Sequence, residues 1–140
     1  MSCFDQVLVY TDGASRGNPG PAAIGYAIFD ASGHLLEKGS KTVGKRTNNE
    51  AEYEALIWAL EKTARVCRGS VKAHSDSELM VRQINREYRI TKEHMAAYAK
   101  TVAALARPFK TFSIVHVPRE DPKVQLVDEL VNKALDEAGH

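Results

Sequence analysis

The run Val7-Leu8-Val9-Tyr10-Thr11 constrains the fold more than any other stretch of the chain. It is apolar without alternation, so it reads as a strand buried on both faces, and such a strand belongs inside a sheet covered by helices. It ends on an acid, Asp12. A second strand, Val71 to Ser75, ends in the same way on Asp76. Acids at the carboxyl ends of strands stand where open α/β sheets place their ligand sites. Two further carboxylates belong with them: Glu52, on a helix that opens after Thr47-Asn48-Asn49, and Asp128, early on the last helix. Clustered acids repel one another unless something cationic lies between them. Hard divalent cations such as Mg²⁺ take oxygen ligands, few of them from protein. A pair of such ions about 4 Å apart clamps the attacking and leaving oxygens of a phosphodiester. The residues themselves therefore point to a metal-dependent phosphodiesterase.

Turn signals and periodicity give the element order β-β-β-α-β-α-α-β-α. A turn-rich loop, Gly13 to Pro21, follows the first strand. Strands Ile24–Phe29 and Leu35–Val43 flank a hairpin turn at Asp30-Ala31-Ser32-Gly33. A helix from about Asn49 to Arg65 takes Thr47 or Asn48 as its N-cap. Gly69 breaks the chain before Val71–Ser75. Helices follow over about Ser77–Ile84 and Lys92–Ala106, then a strand over Thr111–Val117. A charged loop, Pro118 to Pro122, leads to a final helix over about Val124–Ala138. An antiparallel meander followed by α/β crossovers makes a mixed five-stranded sheet flanked by helices, an α/β fold. The 140 residues point to one domain, residues 1–140. At that size about two-thirds of the unfolded surface is buried.

Net charge is +1, so no global field draws in a polyanion and any basic footprint must be local. Cys3 and Cys67 suggest neither a disulfide framework nor a zinc spacing. Met1 to Gln6 lacks the basic-then-apolar pattern of a signal peptide, and no apolar run approaches ~20 residues. A cytoplasmic protein with no membrane partner is the expectation.

Helical phase separates the three glutamates of the first helix. At about 100° per residue, Glu50, Glu54, Glu61 and Arg65 share one face, expected to be solvated. Glu52 falls among Ala51, Ala55, Leu56, Ala59 and Leu60, the face that packs on the sheet. A carboxylate there needs a partner, and a metal ion is the economical one. On the last helix, Val127, Val131, Ala134 and Ala138 define the apolar stripe, with Asp128 at its border. His74 and His116 read as strand residues.

The motifs now align with a known pattern. Thr11-Asp12-Gly13-Ala14-Ser15-Arg16-Gly17-Asn18-Pro19-Gly20-Pro21 resembles the opening motif of type 1 ribonuclease H. Thr47-Asn48-Asn49-Glu50-Ala51-Glu52-Tyr53-Glu54-Ala55-Leu56 is similar to that family's helix motif, and Ser75-Asp76-Ser77 to its third. Asp128-Glu129-Leu130-Val131-Asn132-Lys133-Ala134-Leu135 resembles its closing helix. The resemblance implies a compact ribonuclease H-like domain that cleaves the RNA strand of RNA–DNA hybrids. The products would carry 3′-hydroxyl and 5′-phosphate ends. It implies two Mg²⁺ or Mn²⁺ ions per active site with substrate, held by Asp12, Glu52, Asp76 and Asp128. Asn18, Asn48 and Asn49 would contact the hybrid, and Thr47 would help hold a DNA phosphate. A wide minor groove displaying 2′-hydroxyls is what such amides can read. Lys45 and Arg46, with Lys41, can add local phosphate charge. Gly17 and Gly20 let backbone approach a nucleic-acid surface closely. A monomer without an obligate protein partner is expected.

The sequence departs from the family in several places. Glu78 stands where many members carry Gln. The stretch Asn85 to His94 is too short for the basic, Trp-rich protrusion of longer members. The family's histidine before the fourth acid is absent, and Arg119 takes its place as the candidate for leaving-group charge or product release. The loop before Asp128 is longer than in compact relatives, which leaves Asp121 as an alternative fourth acid. Two other functions compete: a non-catalytic hybrid-binding module of the same fold, and a related nuclease of the resolvase or integrase kind.

Overall fold

The computed structural model describes residues 3–140. Met1 and Ser2, part of the stretch read above for a targeting signal, lie outside the described residues. Five strands form one sheet in the order β3-β2-β1-β4-β5. They are β1 (Phe4–Ser15), β2 (Gly20–Asp30), β3 (Leu35–Arg46), β4 (Cys67–Ser75) and β5 (Thr111–His116). The β1–β2 and β2–β3 pairs are antiparallel; β1–β4 and β4–β5 are parallel. The mixed sheet expected from the element order is therefore present, with the apolar β1 at its centre.

Residues of β1 alternate between two cores. Val7 and Val9 join Leu56 and Leu60 of α1 (Asn48–Thr63), Met80 and Val81 of α2 (Glu78–Ile84), and Met95 and Val102 of α3 (Glu93–Ala106). Leu8 and Tyr10 face the other layer, with Val124, Val127, Val131 and Leu135 of α4 (Pro122–Glu137). A strand covered on both sides cannot alternate polar and apolar residues, which is why this run is continuous. Val7, Val9, Val127, Val131 and Leu135 are each fully buried. Complete burial of one such side chain contributes about 1.5–3 kcal/mol.

Several boundaries differ from those expected. The first loop shrinks to Arg16–Pro19, because antiparallel pairing continues to Ser15↔Ala22. Strand β3 runs on to Arg46, opposite Gly20. Gly69 does not end the chain segment but lies inside β4, where a Cβ would come within 2.0 Å of the Asp5 carbonyl oxygen. The stripe of α4 consists of Val124, Val127, Val131 and Leu135; Ala138 is exposed. Among the described residues no helix is long and apolar enough to cross a membrane. Cys3 is exposed and Cys67 buried, and neither is in a disulfide.

Candidate active site

The site forms where the two layers meet the carboxyl end of β1. Parallel register pairs Tyr10 with His74, so two residues further on Asp12 and Asp76 stand side by side. Asp76 lies just past β4, whereas Asp12 does not end its strand as expected but stays paired with Gly25 of β2, because the β1–β2 hairpin runs on to Ser15. Glu52 reaches the same point from α1. Thr47 caps that helix through a capping box: its side chain accepts from Glu50 N, while Glu50 Oε1 accepts from Thr47 N at 2.8 Å. The helix can approach because Gly13 has no side chain; a Cβ there would lie 2.3 Å from the carbonyl carbon and oxygen of Ala51. Gly13 N then donates to Glu52 Oε1 at 2.9 Å. Asp12, Glu52 and Asp76 each offer a carboxylate oxygen, and all three oxygens lie within 4.8 Å of one another.

Asp128 approaches from the α4 layer, near enough for its charge to act on Asp12. Arg119 supplies the opposing charge, its Nε 4.0 Å from Asp76 Oδ2. Burial, then the charges of Asp76 and Asp128, push the Asp12 carboxyl up to about 8. Burial, and next the charge of Asp12, raise Glu52 well above the ordinary carboxylate range. Asp76 is raised by burial, and Arg119 and His116 offset part of the effect. Asp12 Oδ2 is buried and has no hydrogen-bond partner among the described residues. A buried, unpartnered carboxylate oxygen beside two more acids is unfavourable by itself and suits an oxygen-seeking cation. The donor set, all carboxylate oxygen, fits a hard divalent ion.

Asp121 lies outside this cluster. It is the N-cap of α4, accepting from Lys123 N at 2.8 Å and Val124 N at 3.2 Å. Its charge acts on Tyr10 and His74, in the α4-side layer. His74 is structural as expected: buried, with Nδ1 3.1 Å from Val9 O and its ring stacked on Tyr10. His116 is closer to the site than its strand position suggested, since its charge acts on Asp76. Only the β4–β5 register, Ser75↔His116, reveals this proximity.

Next to the acids lies a surface carrying the asparagines. Asn18 Oδ1 accepts from Asn48 N at 3.1 Å, and Asn48 Oδ1 accepts from Ser15 N at 3.0 Å. Turn and cap chemistry thus occupies both carbonyl oxygens, leaving each NH₂ group as the available donor. Gly20 serves the loop itself: a Cβ there would meet Arg16 O at 2.3 Å. Gly17 adopts a positive φ of 110°. Asn18, Thr47 and Asn49 form one wall of a hollow of about 550 Å³; Arg89, Lys92 and His94 line it from across. Those three residues come from the segment too short for a basic protrusion, and only the folded chain brings them into one hollow with Asn18 and Asn49.

The basic residues before the helix divide. Lys45 is exposed and borders a different hollow, with Gly20 and Pro21. Arg46 is bound: its Nε lies 2.6 Å from Glu54 Oε2, which also accepts from Tyr98 OH at 3.0 Å. The solvated face expected for Glu50 and Glu54 is accordingly corrected. Both are half-buried, Glu50 by its capping box and His94, Glu54 by Arg46 and Tyr98. Helical phase sees only the helix, whereas β3 and α3 provide these partners. Glu78 is offset by Arg82 at 3.7 Å.

Comparison with known proteins gives concordant matches. A family model described as reverse transcriptase-like matches residues 10–134. A curated protein of Halobacterium salinarum named Ribonuclease HI is 38% identical over 133 residues, covering 95% of this chain and 66% of its own. The crystal structure of RNase H1 from that archaeon superposes with a TM-score of 0.90 at 38% identity, covering 94% of this chain and 98% of the other. The structure of LC11-RNase H1 in complex with RNA/DNA hybrid gives 0.88 at 40% identity, covering 96% and 99%. The chain spans 66% of the length of the Halobacterium relative and 36% of a Mycobacterium bovis relative.

Proposed function

The chain belongs to the type 1 ribonuclease H family, and from that premise we propose that it is an endonuclease hydrolysing the RNA strand of RNA–DNA hybrids. The observation that carries this reading is the convergence of Asp12, Glu52 and Asp76, with oxygens within 4.8 Å, beside a hollow bordered by Asn18, Thr47 and Asn49. The family is metal-dependent. Here the proposed ligands are Asp12, Glu52, Asp76 and Asp128, and the proposed ions are two Mg²⁺ or Mn²⁺ with substrate. When bound, these ions supply activation of the attacking water and neutralisation of charge on the phosphodiester.

The chain's own residues do the rest. The NH₂ groups of Asn18 and Asn48, with Asn49, meet the minor groove of the hybrid, where the 2′-hydroxyl distinguishes RNA from DNA. Thr47, with Arg89 and Lys92 across the hollow, holds phosphate of the uncleaved strand. Arg46 serves chiefly to orient the start of α1 through Glu54. Lys45, exposed at the end of β3, contributes long-range attraction. Hydrolysis adds water oxygen to phosphorus and breaks the P–O3′ bond; the departing 3′-oxygen takes a proton. Arg119, on an exposed loop, contributes positive charge beside Asp76 as that bond breaks. One domain over residues 1–140, acting as a monomer in the cytoplasm, accommodates all these roles.

The test is incubation with a labelled RNA–DNA hybrid in Mg²⁺, in Mn²⁺ and in chelator, against duplex DNA and a four-way junction. Metal-dependent cleavage confined to the RNA strand is expected. Binding of the hybrid without cleavage in any metal would favour the binding module, and cleavage of the junction a resolvase-like nuclease.

A further inference from the structure

Arg16 lies in the tight loop between β1 and β2, one residue before Gly17, where a cation invites assignment to a phosphate. Its guanidinium is engaged elsewhere. Nη1 lies 2.7 Å from Asp136 Oδ1 and also donates to the His140 carbonyl oxygen. Nη2 donates to Asn132 O at 3.4 Å and to Asn132 Oδ1 at 3.3 Å. These acceptors lie in the last turns of α4 and just beyond, where the helix dipole favours a cation. Asn132 Nδ2 in turn donates to the Asp128 carbonyl at 3.0 Å. On the loop side, Arg16 N donates to Pro21 O at 2.8 Å, and Asn18 is tied to the start of α1. One side chain therefore joins the loop carrying Asn18 to the helix carrying Asp128.

We propose that Arg16 is a positioning residue, a clamp that holds this loop and α4 in fixed register so that Asn18 and Asp128 meet the hybrid together. The inference rests on the hybrid-cleavage reading. A guanidinium suits the role because its planar fork reaches Asp136 and Asn132 at once, which a lysine ammonium does less well. An arginine committed to α4 displaces no counterion from nucleic acid when substrate binds.

The test compares wild type, Arg16→Ala, Arg16→Lys, Asp136→Ala and the Arg16→Ala/Asp136→Ala double variant. Steady-state kcat and KM are measured on the hybrid per folded molecule, and equilibrium binding in chelator is followed across salt. Arg16→Ala should raise KM about tenfold, the scale of one lost charge-assisted contact, with kcat falling less. Arg16→Lys should fall between it and wild type. Asp136→Ala should add little in the Arg16→Ala background. The slope of log K against log salt should be unchanged in Arg16→Ala. A slope reduced by about 1 would mean a direct phosphate contact and overturn the clamp. An unchanged KM, or Arg16 and Asp136 effects that simply add, would overturn it too. A wild type that does not cleave the hybrid refutes the underlying activity; a cleaving wild type with a normal Arg16→Ala KM refutes the clamp alone.

Discussion

Asp12→Asn should make the metal-free protein more stable while abolishing its activity. Asp12 is 5% exposed, surrounded by Glu52, Asp76 and Asp128, and its carboxyl is pushed from 3.8 up to about 8. Between those values the unfolded chain has released this proton and the folded chain still holds it. Stability therefore falls as pH rises from about 4 to 8. At pH 7 a carboxyl raised from 3.8 to about 8 disfavours folding by about 4 kcal/mol. That figure is an upper limit, since Glu52 and Asp76 share the exchanged proton and Asn still buries an amide. A net gain of about 1–3 kcal/mol is expected, or roughly 3–10 °C in Tm for a domain of this size. The assay is thermal unfolding followed by circular dichroism in chelator, at pH 4, 6 and 8. The difference between wild type and Asp12→Asn should be under about 1 kcal/mol at pH 4 and largest at pH 8. Added Mg²⁺ should stabilise wild type more than the variant, by mass action on a site the variant has lost. A variant less stable than wild type at pH 8, or a wild-type Tm flat from pH 4 to 8, would refute the electrostatic reasoning.

Three other outcomes follow from the same geometry. Glu52→Gln and Asp76→Asn should abolish hybrid cleavage, whereas Asp128→Asn should keep a residue of activity partly restored by Mn²⁺, because water can replace one ligand of an ion that retains several; initial rates across a metal titration decide this. Asp121→Ala should lower stability by about 1 kcal/mol through loss of the α4 N-cap, with the rate per folded molecule near wild type; an inactive, stable Asp121→Ala would transfer the fourth-acid role to the loop. Gly13→Ala should cost several kcal/mol and most activity, since a Cβ 2.3 Å from the Ala51 carbonyl must push α1, and Glu52 with it, away from β1; a melting curve and a rate at one metal concentration suffice to check it.

Some of this protein could be read from local sequence because the responsible physics is local. A double-sided apolar run makes Val7–Thr11 a central strand whatever its neighbours. Helical phase alone brings Glu52 onto the buried face of α1, and capping chemistry narrows the start of that helix to Thr47 or Asn48, of which the structure uses Thr47. Asp12 and Asp76 meet because β1 and β4 pair in parallel register, although Asp12 lies inside β1, which runs on to Ser15, and only Asp76 follows the end of its strand.

Other features depend on partners far away in the chain, and no local pattern encodes a partner. Glu54 looks like solvated surface until β3 brings Arg46 and α3 brings Tyr98 against it. Asp121 and Asp128 are both acids near the start of one helix. One is spent on backbone N–H groups and the other faces Asp12, a distinction made by where α4 docks. Gly13 belongs to a recognisable motif, but the reason for a glycine there is the backbone of Ala51, 38 residues away in sequence. Arg16 carries the charge of a phosphate ligand, and the end of α4 claims it instead. Residue type and periodicity thus determined which groups carry the chemistry and which faces are buried. Tertiary packing decided what each charge is paired with, because the pairing energy depends on distances of a few ångströms that arise only once separate elements are packed.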